Sequence, residues 1–95
     1  IASAASSNYK RAIQLLEQIE GSSSQTQQLI PSVRFGRAVE LFYDGDLAES
    51  KKLLLRIIND KWATSILGVA HFWLGEVCYL QKEYATAILY YNKYI

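Results

Sequence analysis

The chain holds few side chains that could do chemistry. His71 is its only histidine and Cys78 its only cysteine. A general base needs a partner to hand its proton to or take it from, and no Ser, Cys or carboxylate is spaced to form a relay with His71. The imidazole is therefore read as a core or half-buried packing group. Cys78 falls one helical turn past Leu74 on the same face and reads as a small packing residue, since unpaired cysteines are often buried. A lone cysteine also excludes an internal disulfide framework and a Cys-rich zinc site. Asp44-Gly45-Asp46 begins like a calcium loop but lacks the further oxygen ligands and the closing Glu, so it reads as a turn. Lys51, Lys52 and Arg56 lie largely opposite an apolar stripe and read as a solvated face. No Gly-rich phosphate loop is present. No catalytic, cofactor or metal site is expected here, and an enzyme would need catalytic residues outside these positions.

The bulk composition narrows the class further. A chain of 95 residues makes one small domain with a modest core. Its 51% hydrophobic content includes no long apolar run, which argues against a membrane span. Ten basic and nine acidic residues give a net charge of +1, leaving no electrostatic footprint for nucleic acid or an anionic membrane. One Pro and five Gly are too few for the many turns of an all-β fold. Seven Tyr and two Trp are unusual in so short a chain, and aromatic surface is common anchor chemistry at interfaces. The chain begins at Ile1 rather than Met and stops on Ile95 inside a helical pattern. It is expected to be a piece of a longer protein, so the lack of a signal peptide or lipid anchor carries no information.

Helices must position whatever these side chains do. Tyr9, Ala12, Ile13, Leu16 and Ile19 make an i, i+3, i+4, i+7 stripe, capped by Ser6, Ser7 or Asn8 and ended by Gly21. Residues 21–30 are polar apart from their last two positions and read as a loop. Ser24 with Gln27 could form a capping box for an early start, but that would bury Pro31 inside the helix. A start near Pro31, where the missing N–H costs nothing, is preferred. The next helix runs from there to Tyr43, where Asp44-Gly45-Asp46 breaks it. Asp46 caps a helix carrying Leu47, Leu54, Ile57 and Ile58, closed by Asn59-Asp60-Lys61. Thr64 or Ser65 caps the longest helix, which runs to about Gln81. Lys82-Glu83 is a turn inferred from repeat spacing, and the last helix shows Tyr84, Ala87, Ile88, Tyr91, Tyr94 and Ile95 on one face.

Leu74-Gly75 is followed twelve residues later by Ala87 and four after that by Tyr91. This is most of the helix–turn–helix signature W-x2-L-G-x2-Y…A-x3-F, with His71, Cys78 and Tyr91 in the aromatic slots. The segment resembles a tetratricopeptide (TPR) unit. A preceding unit opening at Pro31 has Arg34, Arg37, Ala38 and Leu41 in its first helix and Ser50-x3-Leu54 for the small–large pair. The offset from Pro31 to Gly68 is 37 residues, against the usual 34. The extra three lie in the Asn59–Ile66 connection, where Trp62 replaces the signature Pro. The resemblance implies an all-α fold of antiparallel helix hairpins stacked as a short solenoid. About two and a half repeats, five helices, are expected: residues 1–20 as the second helix of a partial unit, the loop 21–30, and units over 31–61 and 64–95.

Phe72-Trp73-Leu74-Gly75-Glu76, preceded by a Gly45-Asp46-Leu47-x2-Ser50 turn, is further similar to the C-terminal TPR domain of the Tol-Pal-associated periplasmic family. That likeness implies a periplasmic interaction module whose partners are Tol-system or peptidoglycan-synthesis proteins, acting at constriction. The alternative it leaves open is a TPR scaffold in a cytosolic or organellar complex. By resemblance, the concave groove would be lined by Ser32, Phe35, Val39, Phe42 and Tyr43, then Val69, Phe72, Glu76, Tyr79 and Leu80. These residues either hold a peptide or helix through aromatic anchors or pack against the preceding helix. The slots that grip a C-terminal carboxylate in chaperone-binding TPRs hold Phe35, Val39, Phe72 and Glu76, so no such clamp is expected. The last helix lacks a polar outer face, which a terminal repeat normally needs. That surface is expected to meet a continuing chain, a partner or a second copy.

Overall fold

The computed structural model describes residues 24–94, together with Arg11, Ala12, Gln14 and Leu15, which are helical. Among the described residues the chain is all-α, with four helices: α1 (Ser24–Tyr43), α2 (Leu47–Ile58), α3 (Leu67–Leu80) and α4 (Tyr84–Tyr94). The further helix expected over residues 1–20 lies outside the described residues, apart from those four positions.

Two turns of the same construction fold the helices back. Past α1, the Gly45 amide donates to the Phe42 carbonyl at 3.1 Å and the Asp46 amide to Leu41 at 2.9 Å. This double closure is a Schellman stop, and its corner residue must be left-handed. Gly45 meets that need with φ 86°. Past α3, Lys82 donates to Tyr79 at 3.0 Å and Glu83 to Cys78 at 2.8 Å. Here the corner is Lys82 itself, at φ 65°. Each partner in the second turn lies 37 residues beyond its counterpart in the first, Gly45 to Lys82 and Leu41 to Cys78.

The same register holds on the helices. The Ser50 amide donates to the Asp46 carbonyl at 3.1 Å, and the Ala87 amide to the Glu83 carbonyl at 2.9 Å. The Asp46 carboxylate also accepts from the Glu49 amide at 3.3 Å, the expected N-cap of α2. Every helix runs antiparallel to the next. Arg34 on α1 reaches Asp60 just past α2 at 3.7 Å, and Lys51 early in α2 meets Glu83 just past α3 at 3.1 Å. Tyr79 at the end of α3 lies by Tyr84 at the start of α4. Leu54, Ile57, Leu74 and Val77 are exposed by 1% or less and form the centre of the core with Ala38, Ala63 and Ala70.

Two boundaries differ from expectation. Helix α1 starts at Ser24 rather than near Pro31, so Ser24–Ile30 is helix and not loop, and α1 rather than α3 is the longest of the four. An interior proline costs about 3 kcal/mol. Here Ile30 and Pro31 are both buried, and about 1.5–3 kcal/mol for a fully buried apolar side chain offsets that penalty. Neither Thr64 nor Ser65 caps α3. Its first turn follows a 3₁₀ segment, Thr64–Ile66, with Ile66 at the N-cap and no side-chain cap. Three successive i→i−3 bonds, each 3.0 Å, carry the chain from Ile57 to Ile66 and take up the extra residues of the connection. Asp60 pins this ladder by accepting from the Trp62 amide at 2.8 Å while facing Arg34. The two arginines in apolar slots of the first unit are thus tolerated as ion-paired side chains, Arg34 with Asp60 and Arg37 with Glu40.

Candidate functional site

The reactive side chains are placed for packing. His71 is half-buried, and its Nδ1 donates to the Leu67 carbonyl at 2.7 Å, because a carbonyl oxygen can only accept. Its ring lies 6.2 Å from Tyr90. Cys78 is fully buried. Burial pushes its thiol above the ordinary value, with Lys51 pulling the other way, so little reactive thiolate forms. Asp44-Gly45-Asp46 forms the Schellman turn described above. Lys52 and Arg56 are exposed on α2, while Lys51 is engaged by Glu83, whose hydrogen bond raises the ammonium above its usual range. Among the described residues, no group of three or more His, Cys, Asp or Glu side chains could hold a metal ion, and no helix is long and apolar enough to cross a membrane.

The aromatic surface separates into two sets. Ser32, Val39 and Tyr43 stand at i, i+7 and i+11 along α1, and Val69, Glu76 and Leu80 repeat that spacing along α3. Tyr43 and Leu80 are 74% and 52% exposed, and Val39, Val69 and Glu76 are half-buried. The two strips come together where the Trp73 ring lies 6.0 Å from Tyr43. Phe35 and Phe42 belong to the other set, packing against the buried core. Phe42 meets the Trp73 ring edge-on at 5.0 Å, so the start of the second hairpin covers it. The counterparts of Phe35 and Phe42, Phe72 and Tyr79, have no following hairpin against them among the described residues. They turn instead to α4: Phe72 lies 6.0 Å from Tyr91 and 5.3 Å from Tyr94, and Tyr79 lies 5.3 Å from Tyr84.

Trp73 holds the two sets together. Its ring contacts Phe42, Tyr43 and Phe72, bridging α1 and α3 where the two strips meet. The groove positions carried over by resemblance skip Trp73. Its signal in the sequence was its place next to Phe72, one step off the stripe. Glu76 is also more than a lining residue, since the Tyr91 hydroxyl donates to its carboxylate at 2.8 Å. Burial, with this bond to a carboxylate behind it, pushes the Tyr91 phenol up to about 12. The Tyr91 ring also lies against Gly75, where an added Cβ would come within 2.5 Å of it.

Among the described residues the two strips bring together apolar and aromatic side chains, one carboxylate and a Trp at the seam. No protein-family model, curated protein or solved structure matches the chain.

Proposed function

We propose that the chain is a TPR-like, non-enzymatic interaction module that holds a protein partner along the Val39–Tyr43 and Val69–Leu80 strips, with Trp73 at their seam. The observation that carries this reading is the 37-residue recurrence of the whole hairpin: the same stop bonds, the same first-turn bond and the same small–large pair. Stacked hairpins repeat in this way, and their first helices line up side by side to make extended binding surfaces. A helix or extended peptide with apolar anchors suits such a face, since Tyr and Trp give large contact area at low entropic cost. The resemblance of Phe72-Trp73-Leu74-Gly75-Glu76 supports placing the module in the periplasm, among Tol-system and peptidoglycan-synthesis proteins. The alternative is a scaffold in a cytosolic or organellar assembly, which the same face would serve equally.

The test is a photo-crosslinking amino acid at Tyr43, in the full-length protein inside its own cells, with mass spectrometry of what is captured. Tyr43 is the better probe because it is 74% exposed, whereas Phe35 packs on the core and its truncation would also destabilise the fold. Capture of Tol-system or peptidoglycan-synthesis proteins is the expected result. A cytosolic partner would keep the module and overturn its compartment. Absence of any protein adduct at Tyr43 and at Leu80 would overturn the binding face.

A further inference from the structure

Among the described residues, the second hairpin leaves an apolar face uncovered on the side of α4 away from α2. On α4, Tyr90 packs on the core and Glu83 at its foot pairs with Lys51, which fixes the α2 side. Tyr84 and Ile88, one turn apart, point away from that side and are 52% and 58% exposed. Next to them on α3, Tyr79 and Leu80 are 55% and 52% exposed. The Tyr79–Tyr84 ring pair and the Tyr91–Glu76 hydrogen bond join the two halves into one surface.

Its area and its charge both bear on what covers it. Half-exposed side chains of this size leave roughly 100 Å² each outside, so these four give on the order of 400 Å². A standard interface covers about 800 Å² per partner, and a homodimer's is about 65% apolar, a need of roughly 500 Å² of apolar surface on each side. The half-buried edges of Phe72 and Tyr91 make up most of the difference. Helix α4 carries a single charged side chain, Lys93, which is set well around the helix from Ile88. The one carboxylate on the face, Glu76, is already engaged by Tyr91. A twofold axis sets each group near a copy of itself, which penalises like charges and leaves uncharged groups free to meet. Lys82, exposed in the α3–α4 turn between Leu80 and Tyr84, is the one charge among the described residues at the border of the face. A partner selected by charge would therefore find little here to select it.

We propose that this face pairs two copies of the chain about a twofold axis near Ile88, burying Tyr79, Tyr84 and Ile88 of each copy against the other. The inference rests on exposure and charge at α4 and does not depend on the repeat reading. It leaves the Val39–Tyr43 strip open but takes in Leu80 and Glu76 of the Val69–Leu80 strip, so pairing and partner binding compete at that end of α3.

Sedimentation velocity of the full chain, from micromolar to near-millimolar concentration, tests it. The expected result is a monomer–dimer equilibrium that Ile88→Glu and Tyr84→Lys each weaken by about tenfold or more. Leu89→Glu, about 100° round α4 from Ile88 on the flank away from Tyr84 and 63% exposed, should leave the equilibrium unchanged. Circular dichroism checks that each variant keeps its helix content, and two separate substitutions on the face guard against one of them failing to fold. A chain that stays monomeric throughout overturns the proposal. So does a dimer that ignores both face substitutions, since the copies then meet elsewhere. Capture of a different protein by a crosslinker at Tyr84, with no self-adduct, would give the face to that partner and overturn it as well.

Discussion

Where α2 turns Glu49, Lys52 and Arg56 to water, α4, its counterpart in the second hairpin, turns Tyr84, Ile88 and Leu89. Inside the hairpins the contrast is one of size. The first crossing uses Ala38 with Leu54, both buried, and the second uses Gly75 with Tyr91 in the matching slots. A smaller residue on one helix admits a larger ring from the other, so the volume at the crossing is roughly kept. At the first crossing the buried Ser50 hydroxyl also donates to the Ala38 carbonyl at 2.7 Å, where the second has only the methyl of Ala87. The comparison teaches that the crossing constrains combined volume tightly and the outer face hardly at all. Surface chemistry is therefore free to differ between two copies of one hairpin.

The largest effect should come from breaking the size compensation. Gly75→Ala forces the Tyr91 ring away and is expected to lower the unfolding free energy by about 1–3 kcal/mol, read by urea denaturation. Combining it with Tyr91→Leu reproduces the Ala–Leu pair of the first hairpin. The double variant should be more stable than the two separate losses added together. Simple additivity would show that the two crossings are not equivalent.

The corner residues sharpen the same comparison with opposite signs. Gly45→Ala puts a side chain at φ 86° and should cost about 1–2 kcal/mol, although open space surrounds the position. Lys82→Gly removes a side chain from φ 65° and should raise stability by up to about 1 kcal/mol. Thermal melts of the two variants shifting in the same direction would contradict a shared turn geometry.

The smallest effect appears only in alkali. The fold favours the neutral Tyr91 phenol, raised from 10.0 to about 12 chiefly by burial and then by Glu76. Its contribution is whole below pH 10 and is lost as pH rises from there towards 12. Tyr91→Phe should flatten that limb of the stability profile, and the first hairpin, with Leu54 in the slot, has nothing comparable to lose.

Much of this plan was legible in the sequence because local chemistry and packing agreed. Asp44-Gly45-Asp46 announces a turn and a cap in three residues, and Ala87 with Tyr91 announces a crossing. The sequence misled where packing overrode a local signal. Pro31 marks a helix start by its missing N–H, yet buried Ile30 and Pro31 carry α1 back to Ser24. Lys82 gives no sign of a left-handed corner, because the demand comes from the two helices it joins. The groove positions were legible as a spacing, but which of them stay accessible depends on whether another hairpin follows. That is why Phe42 withdraws into packing while its counterpart Tyr79, with no following hairpin against it among the described residues, is exposed.

Cys78 carries a practical consequence. Its thiol is the chain's only one, and it is fully buried on α3 near the Lys51–Glu83 pair that ties α2 to the α3–α4 turn. A thiol reagent can reach it only when that seam parts. The rate of labelling under native conditions therefore counts openings of the seam, without any added probe, and its dependence on urea separates local breathing from global unfolding.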